Sequence, residues 1–354
     1  MNRTASWALL PFSGLYGAAT KARLALYHTG IFHAQRVAAP VISVGNITAG
    51  GTGKTPLVEW VARYLANEDR RPCILTRGYG RANERKRVVV SDGETIFTDA
   101  TQAGDEALLL AERLAKLTAV VADHDRASAA RWAIENLKSN VFILDDGFQT
   151  LRIARDLNIV TIDATNPWSN GRLLPAGLLR EPRSGLARAD CVVVTRADQV
   201  NSPDVLQTEV DRFSSGCPVV LSRMKICGLR LVSNGKETSY DSADDVPTAA
   251  FCGIGNPQSF FSQLQTGGSA LSYTRAFPDH HEYTQSDIDE IVSAAAAHGA
   301  RQLFTTAKDE VKLRSLRFEL PCYAVDIEIE FENEENDLGQ LISQAVQGAQ
   351  TPGG

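Results

Sequence analysis

Residues 40–60 read PVISVGNITAGGTGKTPLVEW. The segment joins a continuous apolar run to a helical pattern through a glycine-rich loop, the context that a phosphate-binding strand–loop–helix requires. Gly50, Gly51 and Gly53 let backbone N–H groups close around a polyphosphate without Cβ clashes. Lys54 is placed to neutralise β- and γ-phosphate oxygens, and the Thr55 hydroxyl to ligate magnesium. The following helix adds the positive end of its dipole, and Pro56 costs little in a first turn whose N–H has no intrahelical partner. Thr48 stands where the pattern wants its first glycine, the one farthest from the lysine. Thr48, Ala49, Gly50, Gly51, Thr52, Gly53, Lys54 and Thr55 are thus the candidate nucleotide site.

On either side of this loop, short β-rich runs alternate with helical patterns. The runs are 41–46, 73–77, 87–91, 118–122, 141–146, 158–163, 191–196 and 218–223; helix candidates include Thr55–Asn67, Asp105–Lys116 and Ala127–Leu137. Continuous Val/Ile/Leu stretches mark strands buried on both faces, hence a largely parallel sheet between helices in a doubly wound α/β domain. The rhythm breaks after Arg223, where Asn234-Gly235 signals a hairpin and an acidic, serine-rich segment follows. A second βα series then runs to 331, and its best-marked helix has Thr284 and Asp287 as a capping box and Gly299 as a stop.

A chain of 354 residues suits two domains, and a net charge of −6 argues against a nucleic-acid binder, which needs a basic surface. The six cysteines are scattered and read as free, mostly buried thiols of a reducing compartment. Residues 7–32 are apolar and aromatic, yet Pro11, Gly14, Gly17, Lys21, Arg23 and His28 interrupt them, so they suit neither a spanning helix nor a signal peptide. From Leu15 to Ile31 the pattern is helical, with Leu15, Ala19, Ala22, Leu26 and Ile31 on one side. Such a helix lies in a membrane interface or packs on the protein's own core, and the pattern fits both.

Other segments carry the chemistry that a bound triphosphate needs. Asp145 and Asp146 end a buried run (VFILDD) and are costly to bury without a cation or donors, which makes them candidate magnesium ligands. Asp105 and Glu106 open a helix after Gly104, and Asp279, His280 and His281 sit in a loop of the second domain. A carboxylate and an imidazole from opposite domains form an acid/base pair when a cleft closes. Asp123-His124-Asp125 resembles a metal cluster but reads as a strand end and helix cap. Thr195-Arg196-Ala197-Asp198 echoes the [NT]-K-x-D guanine signature with Arg for Lys, which keeps open a soluble GTPase of switch or metallochaperone type; a cytosolic small-molecule kinase is a third reading.

Taken in order, SVGNITAGGTGKTP (43–56), TRGYGR (76–81), AGDEA (103–107), DDGFQ (145–149), NGRLLPAGLLREP (170–182), FCGIGNP (251–257), FPDHH (277–281) and TTAKD (305–309) resemble the tetraacyldisaccharide 4'-kinases, the lipid A 4'-kinases of Gram-negative bacteria. The resemblance covers most of the chain. It implies two α/β/α domains, the N-terminal one a P-loop NTPase-type parallel sheet, joined by a two-stranded linker. It also implies transfer of the ATP γ-phosphate to the 4'-hydroxyl of an acylated glucosamine disaccharide 1-phosphate. Lys54 and Thr55 would hold phosphates and Mg²⁺, with Asp145 and Asp146 in the Walker B position and Glu106 beside the metal. Asp105 would be the base and His280 its partner; Arg77, Tyr79, Gln149, Asn170, Arg180 and Glu181 would bind the acceptor, with Arg172 and Arg183 as further phosphate-binding forks.

The expected organisation is a helical membrane-interface segment (1–36), a P-loop kinase domain (37–225), a linker hairpin region (226–246), a smaller α/β domain (247–348) and a disordered tail (349–354). The resemblance favours the interface reading of the first helix and puts the protein on the cytoplasmic face of the inner membrane, with lipid and membrane surface as partners. No feature points to nucleic acid or to a protein partner. Two residues depart from the family pattern: Ala107 replaces a proline and Thr150 a histidine, so that histidine's role is not carried over.

Overall fold

The computed structural model describes residues 9–240, 246–332 and 337–349. The acidic stretch 241–245 and the tail beyond 349 lie outside them. All six residues of β1 (Val41–Asn46) are buried, because alternate side chains enter different cores. Ile42 and Val44 pack with α2 (Lys54–Asn67), while Val41 faces the opposite layer with Cys73, Leu75 and Phe142. This two-sided burial is why the strand reads as an unbroken apolar run.

Around β1 lie β2 (Pro72–Thr76), β3 (Val88–Ser91), β4 (Ala119–Ala122), β5 (Val141–Asp145), β6 (Leu157–Asp163), β7 (Cys191–Thr195) and the start of β8 (Val219–Leu231). The helices of this half are α3 (Ala100–Ala103), α4 (Asp105–Arg113), α5 (Arg126–Leu137) and α6 (Pro203–Asp211). The strand order β8-β7-β6-β1-β5-β2-β4-β3 is parallel except for the β3 edge. The second half contains β9 (Glu237–Thr238), β10 (Thr248–Cys252), α7 (Pro257–Thr266), β11 (Leu271–Ala276), α8 (Gln285–Ala297), β12 (Gln302–Thr306), α9 (Ala307–Leu313), β13 (Cys322–Phe331) and α10 (Asp337–Gly348). Its order, β11-β10-β12-β13, is parallel as well.

The halves share one sheet through β8. Val219–Leu221 pair with β7; from Ser222 onward the strand pairs antiparallel with β13. These two strands are the linker, and β8 runs through position 225/226 without a break. The Asn234-Gly235 turn makes the short β8–β9 hairpin beside it. The linker segment expected at 226–246 therefore holds only the second part of one of the two strands, and the other arrives almost a hundred residues later. Helix α10 returns to the kinase half, where Leu338, Ile342 and Val346 join the core around Val58, Val61 and Leu65.

Thr284 and Asp287 form the full capping box that starts α8, and Asp125 caps α5 by accepting from Ser128 N while Asp123 pairs with Arg87. All six cysteines are free; Cys227 is exposed and four are buried. Helix α1 (Leu10–His28) sits on the 170–182 loop: Ser13 Oγ donates to Leu173 O at 2.9 Å, and Tyr16 OH to Arg180 O at 3.0 Å. A Cβ at Gly17 would lie 2.7 Å from Leu173 Cδ1, so a larger residue would have to displace that side chain. The other face of α1 is open, with Phe12 60% and Leu15 70% exposed. No helix among the described residues is long and apolar enough to cross a membrane.

Candidate active site

The phosphate loop is stitched to the 178–180 segment by main-chain bonds: Ala49 N donates to Leu178 O at 2.6 Å and Arg180 N to Ile47 O at 2.7 Å. Between them Thr48 is buried in an antiparallel bridge with Leu179. Its φ is not positive, so the missing glycine's freedom is not required there. Positive φ appears at Gly50 (123°) and Gly53 (78°). At Gly53 a Cβ would also fall 2.4 Å from Met224 Cε. Thr52 Oγ1 accepts from Asn46 Nδ2 at 2.8 Å, fixing the loop to β1.

The strand ends deliver the carboxylates. Asp145 closes β5, is buried, and accepts from Thr76 Oγ1 at 3.0 Å. Burial, with the nearby Glu106 and Asp146 carboxylates, pushes its pKa up to about 6. Asp146, at φ 52°, takes both oxygens to Arg180 Nη1 (2.8 and 2.6 Å) and lies 3.5 Å from Lys54 Nζ. Burial alone would raise Asp146; Lys54 and Arg180 outweigh it and hold the carboxyl below its usual range. Thr55, Glu106, Asp145 and Asp146 are an all-oxygen set of mutually repelling carboxylates and a hydroxyl, which suits a hard divalent cation. No three His, Cys, Asp or Glu among the described residues close around an ion by themselves. Magnesium would thus share its coordination with phosphates, its usual habit.

Helix α4 starts where two loops meet backbone to backbone: a Cβ on Gly104 would lie 2.5 Å from Tyr79 O. Its first residue, Asp105, is faced by Lys312 Nζ at 3.0 Å and His280 Nδ1 at 4.0 Å, both aimed at Oδ2. Burial works to raise Asp105, but the facing His280 imidazole and Lys312 ammonium prevail and keep it low. Glu106 pairs with Lys308 at 3.0 Å, and Lys308 also reaches Asp279 at 3.3 Å. The two lysines of α9 were not singled out in the sequence. They read as ordinary charges, and the usable signal was their i,i+4 spacing opposite an adjacent acid pair.

A cleft of about 1170 Å³ runs from this point toward α1. Asp105, Asp146, Arg180 and His280 line it, as do Tyr16, Arg23 and Tyr27 of α1 and Arg77, Tyr79, Gln149 and Thr150. Arg126, buried at the start of α5, lines it too and was not singled out in the sequence. Arg77 lies 5.1 Å from the centre of the Tyr79 ring. Asn170 and Glu181 are not on this surface. Asn170 folds its own loop by donating to Ala176 O at 2.9 Å; buried Glu181 accepts from Gln149 at 3.0 Å and pairs with Arg188. Arg183 is turned to Glu209 and the Trp168 ring. Thr55, Glu106 and Lys308 line a smaller cavity between the halves, about 130 Å³, together with Arg196 and Phe260.

Arg196 of the TRAD segment is buried, donating to Asp163 Oδ2 at 2.8 Å and Gly51 O at 3.2 Å. Asn256 from the second half donates to the same Asp163 oxygen at 2.9 Å. The segment therefore braces the phosphate loop.

Known proteins resemble the chain over most of its length. The sequence model of LpxK, tetraacyldisaccharide-1-P 4'-kinase, matches residues 5–347. The tetraacyldisaccharide 4'-kinase of Geobacter metallireducens is 42% identical over 298 residues, covering 84% of this chain and 86% of that protein. The enzyme of that name from Syntrophotalea carbinolica is 39% identical over 338 residues, 96% of this chain and 91% of its own. A crystal structure of LpxK from Aquifex aeolicus, an "apo" form in complex with ATP, gives a TM-score of 0.75 at 32% identity, covering 97% of this chain and 99% of that one. These matches overturn the GTPase alternative, and the bracing role of Arg196 accounts for the motif that suggested it. The chain belongs to the tetraacyldisaccharide 4'-kinase family, ATP-dependent enzymes that phosphorylate the 4' position of a lipid A precursor.

Proposed function

We propose that Asp105 is the general base of this kinase and that the cleft beneath α1 holds the acylated disaccharide 1-phosphate. The observation that carries the reading is convergence on one cleft: Asp146, 3.5 Å from Lys54 and paired with Arg180, lines it together with Asp105, which His280 approaches from the other half. Thr48 and Ala49 form the entrance of the phosphate loop, and the amides from Gly50 to Thr55 and the Lys54 ammonium take the ATP phosphates. Thr55, Glu106, Asp145 and Asp146 hold Mg²⁺, which when bound neutralises charge on the β- and γ-phosphates. Asp105 accepts the 4'-hydroxyl proton as that oxygen bonds to the γ-phosphorus and the bond to ADP breaks. His280 steadies the Asp105 carboxylate. Arg77, Tyr79, Gln149 and Arg180 bind the sugar phosphate. Asn170 and Glu181 act on it through the loop that carries Arg180 and through the Gln149 side chain.

Glu106→Gln should raise the Mg²⁺ concentration for half-maximal turnover by about tenfold or more, the scale of losing one member of a metal site. A Mg²⁺ titration identical to that of the unaltered enzyme would remove Glu106 from the metal set.

The open face of α1 rests on the cytoplasmic surface of the inner membrane, with Phe12 and Leu15 in the apolar layer and Lys21 and His28 near anionic headgroups. Burying each large side chain contributes about 1.5–3 kcal/mol, so Phe12→Glu with Leu15→Glu should lower vesicle partitioning about a hundredfold or more. Turnover of detergent-dispersed lipid should survive, because neither residue touches the cleft. A doubly substituted protein that still sediments with vesicles would assign the anchor to another surface.

A further inference from the structure

We propose that Lys312 is a positioning residue for phosphoryl transfer, clamping one oxygen of Asp105 so that the other is presented to the acceptor hydroxyl. The proposal rests on the reading of Asp105 as the base. The Lys312 side chain is only 5% exposed, and a lysine is rarely buried so far unless its ammonium is fully engaged. It is engaged in three directions: Asp105 Oδ2 at 3.0 Å, His281 O at 3.1 Å and Glu282 Oε1 at 3.8 Å. Two close acceptors and a more distant carboxylate surround the buried ammonium, so this is a fixed point and not a mobile surface ion pair.

What it fixes is the carboxylate. Lys312 and His280 both address Oδ2, which leaves Oδ1 as the acceptor for a substrate proton. A base must come within hydrogen-bond reach of that proton, and a carboxylate free to rotate about its last bond spends part of its time turned away. One turn earlier on α9, Lys308 treats the neighbouring Glu106 in the same way. The clamp also crosses between halves: α9 belongs to the second α/β unit and α4 packs in the kinase core through Leu108, Leu110 and Ala111. Asp105 thus receives its orientation from the far side of the cleft.

The test is a double-mutant cycle in full-length enzyme, with kcat and KM measured for ATP and for dispersed lipid. Lys312→Met should lower kcat roughly 10–100-fold, the scale of misplacing a reacting group, with both KM values within about twofold. Lys312→Arg, which keeps charge and donors, should regain most of that loss. In the Asp105→Ala background Lys312→Met should cost nothing further. Lys312→Gln carries the same cycle if the methionine variant does not fold. Full kcat in the Lys312 variant beside a crippled Asp105→Ala enzyme would overturn the clamp and leave the base intact, as would an equal Lys312→Met loss in both backgrounds. An Asp105→Ala enzyme that turns over normally would overturn the base reading and the clamp with it.

Discussion

Asp105→Ala is expected to lower kcat by roughly 10²–10⁴-fold, the usual worth of a positioned base, while ATP affinity stays within about twofold. The separation follows from where the groups stand. Asp105 lines the acceptor cleft and its polar contacts are Lys312 and His280. The phosphate loop is held by other partners: Leu178, Arg180, Thr161 and Arg196. Removing Asp105 takes away a proton acceptor and leaves the donor site braced. Steady-state kinetics beside an equilibrium ATP titration would decide it. Parallel losses in rate and ATP affinity would instead make Asp105 a nucleotide ligand.

Arg113→Met should destabilise the fold by about 3–5 kcal/mol, the cost of breaking a buried ion pair by removing one partner. Arg113, 10% exposed at the end of α4, donates to both Glu59 oxygens (3.3 and 3.1 Å) and to Asp326 of β13. Arg230 also holds Asp326, at 2.6 Å, but Glu59 has no comparable second partner among the described residues, and its burial already raises its pKa despite Arg113. Without the arginine Glu59 would fold with its proton. A carboxyl whose folded pKa lies above the unfolded value binds more protons when folded, so its contribution weakens stability as pH rises. The deficit of the variant should therefore shrink as pH falls through the raised folded value toward the ordinary 4.5. Urea unfolding of both proteins at neutral and mildly acidic pH would measure it; a loss under about 1 kcal/mol at neutral pH would mean that the site relaxes or takes up water.

The phosphate loop, the Asp145-Asp146 strand end and the capping box at Thr284 were legible because each is written in a few consecutive residues. Their neighbours fix their geometry, and composition betrays them. The second linker strand was not. β13 reads as one more apolar run, and nothing in 322–331 names β8 as its antiparallel partner. Edge strand β11, half exposed in LSYTRA, lacks the apolar run that marks a buried strand. Helix α10 lies at the far end of the chain yet packs on Tyr64, and amphipathic spacing says that a helix has a partner without saying which. At the site, Asp105 and His280 stood out as a carboxylate and an imidazole from opposite domains, and the family resemblance gave them their roles. Lys308 and Lys312 escaped because a lysine in an exposed-looking helix is chemically silent until the fold supplies its acid.

The stitch at Thr48 has a consequence for how the enzyme meets its substrate. From α1 to the phosphate loop the path is two hydrogen bonds long: Tyr16 OH to the Arg180 carbonyl, then the Arg180 amide to Ile47 O. Such a path does not stretch. Whatever surface the open face of α1 rests on, the loop stands at one fixed height above it, as a ruler set on a bench. On the proposed reading of α1 and the cleft, the saccharide rises to that height while its chains stay below. In the general phosphate-loop pattern Thr48 is a missing glycine; in the folded chain it is part of the gauge.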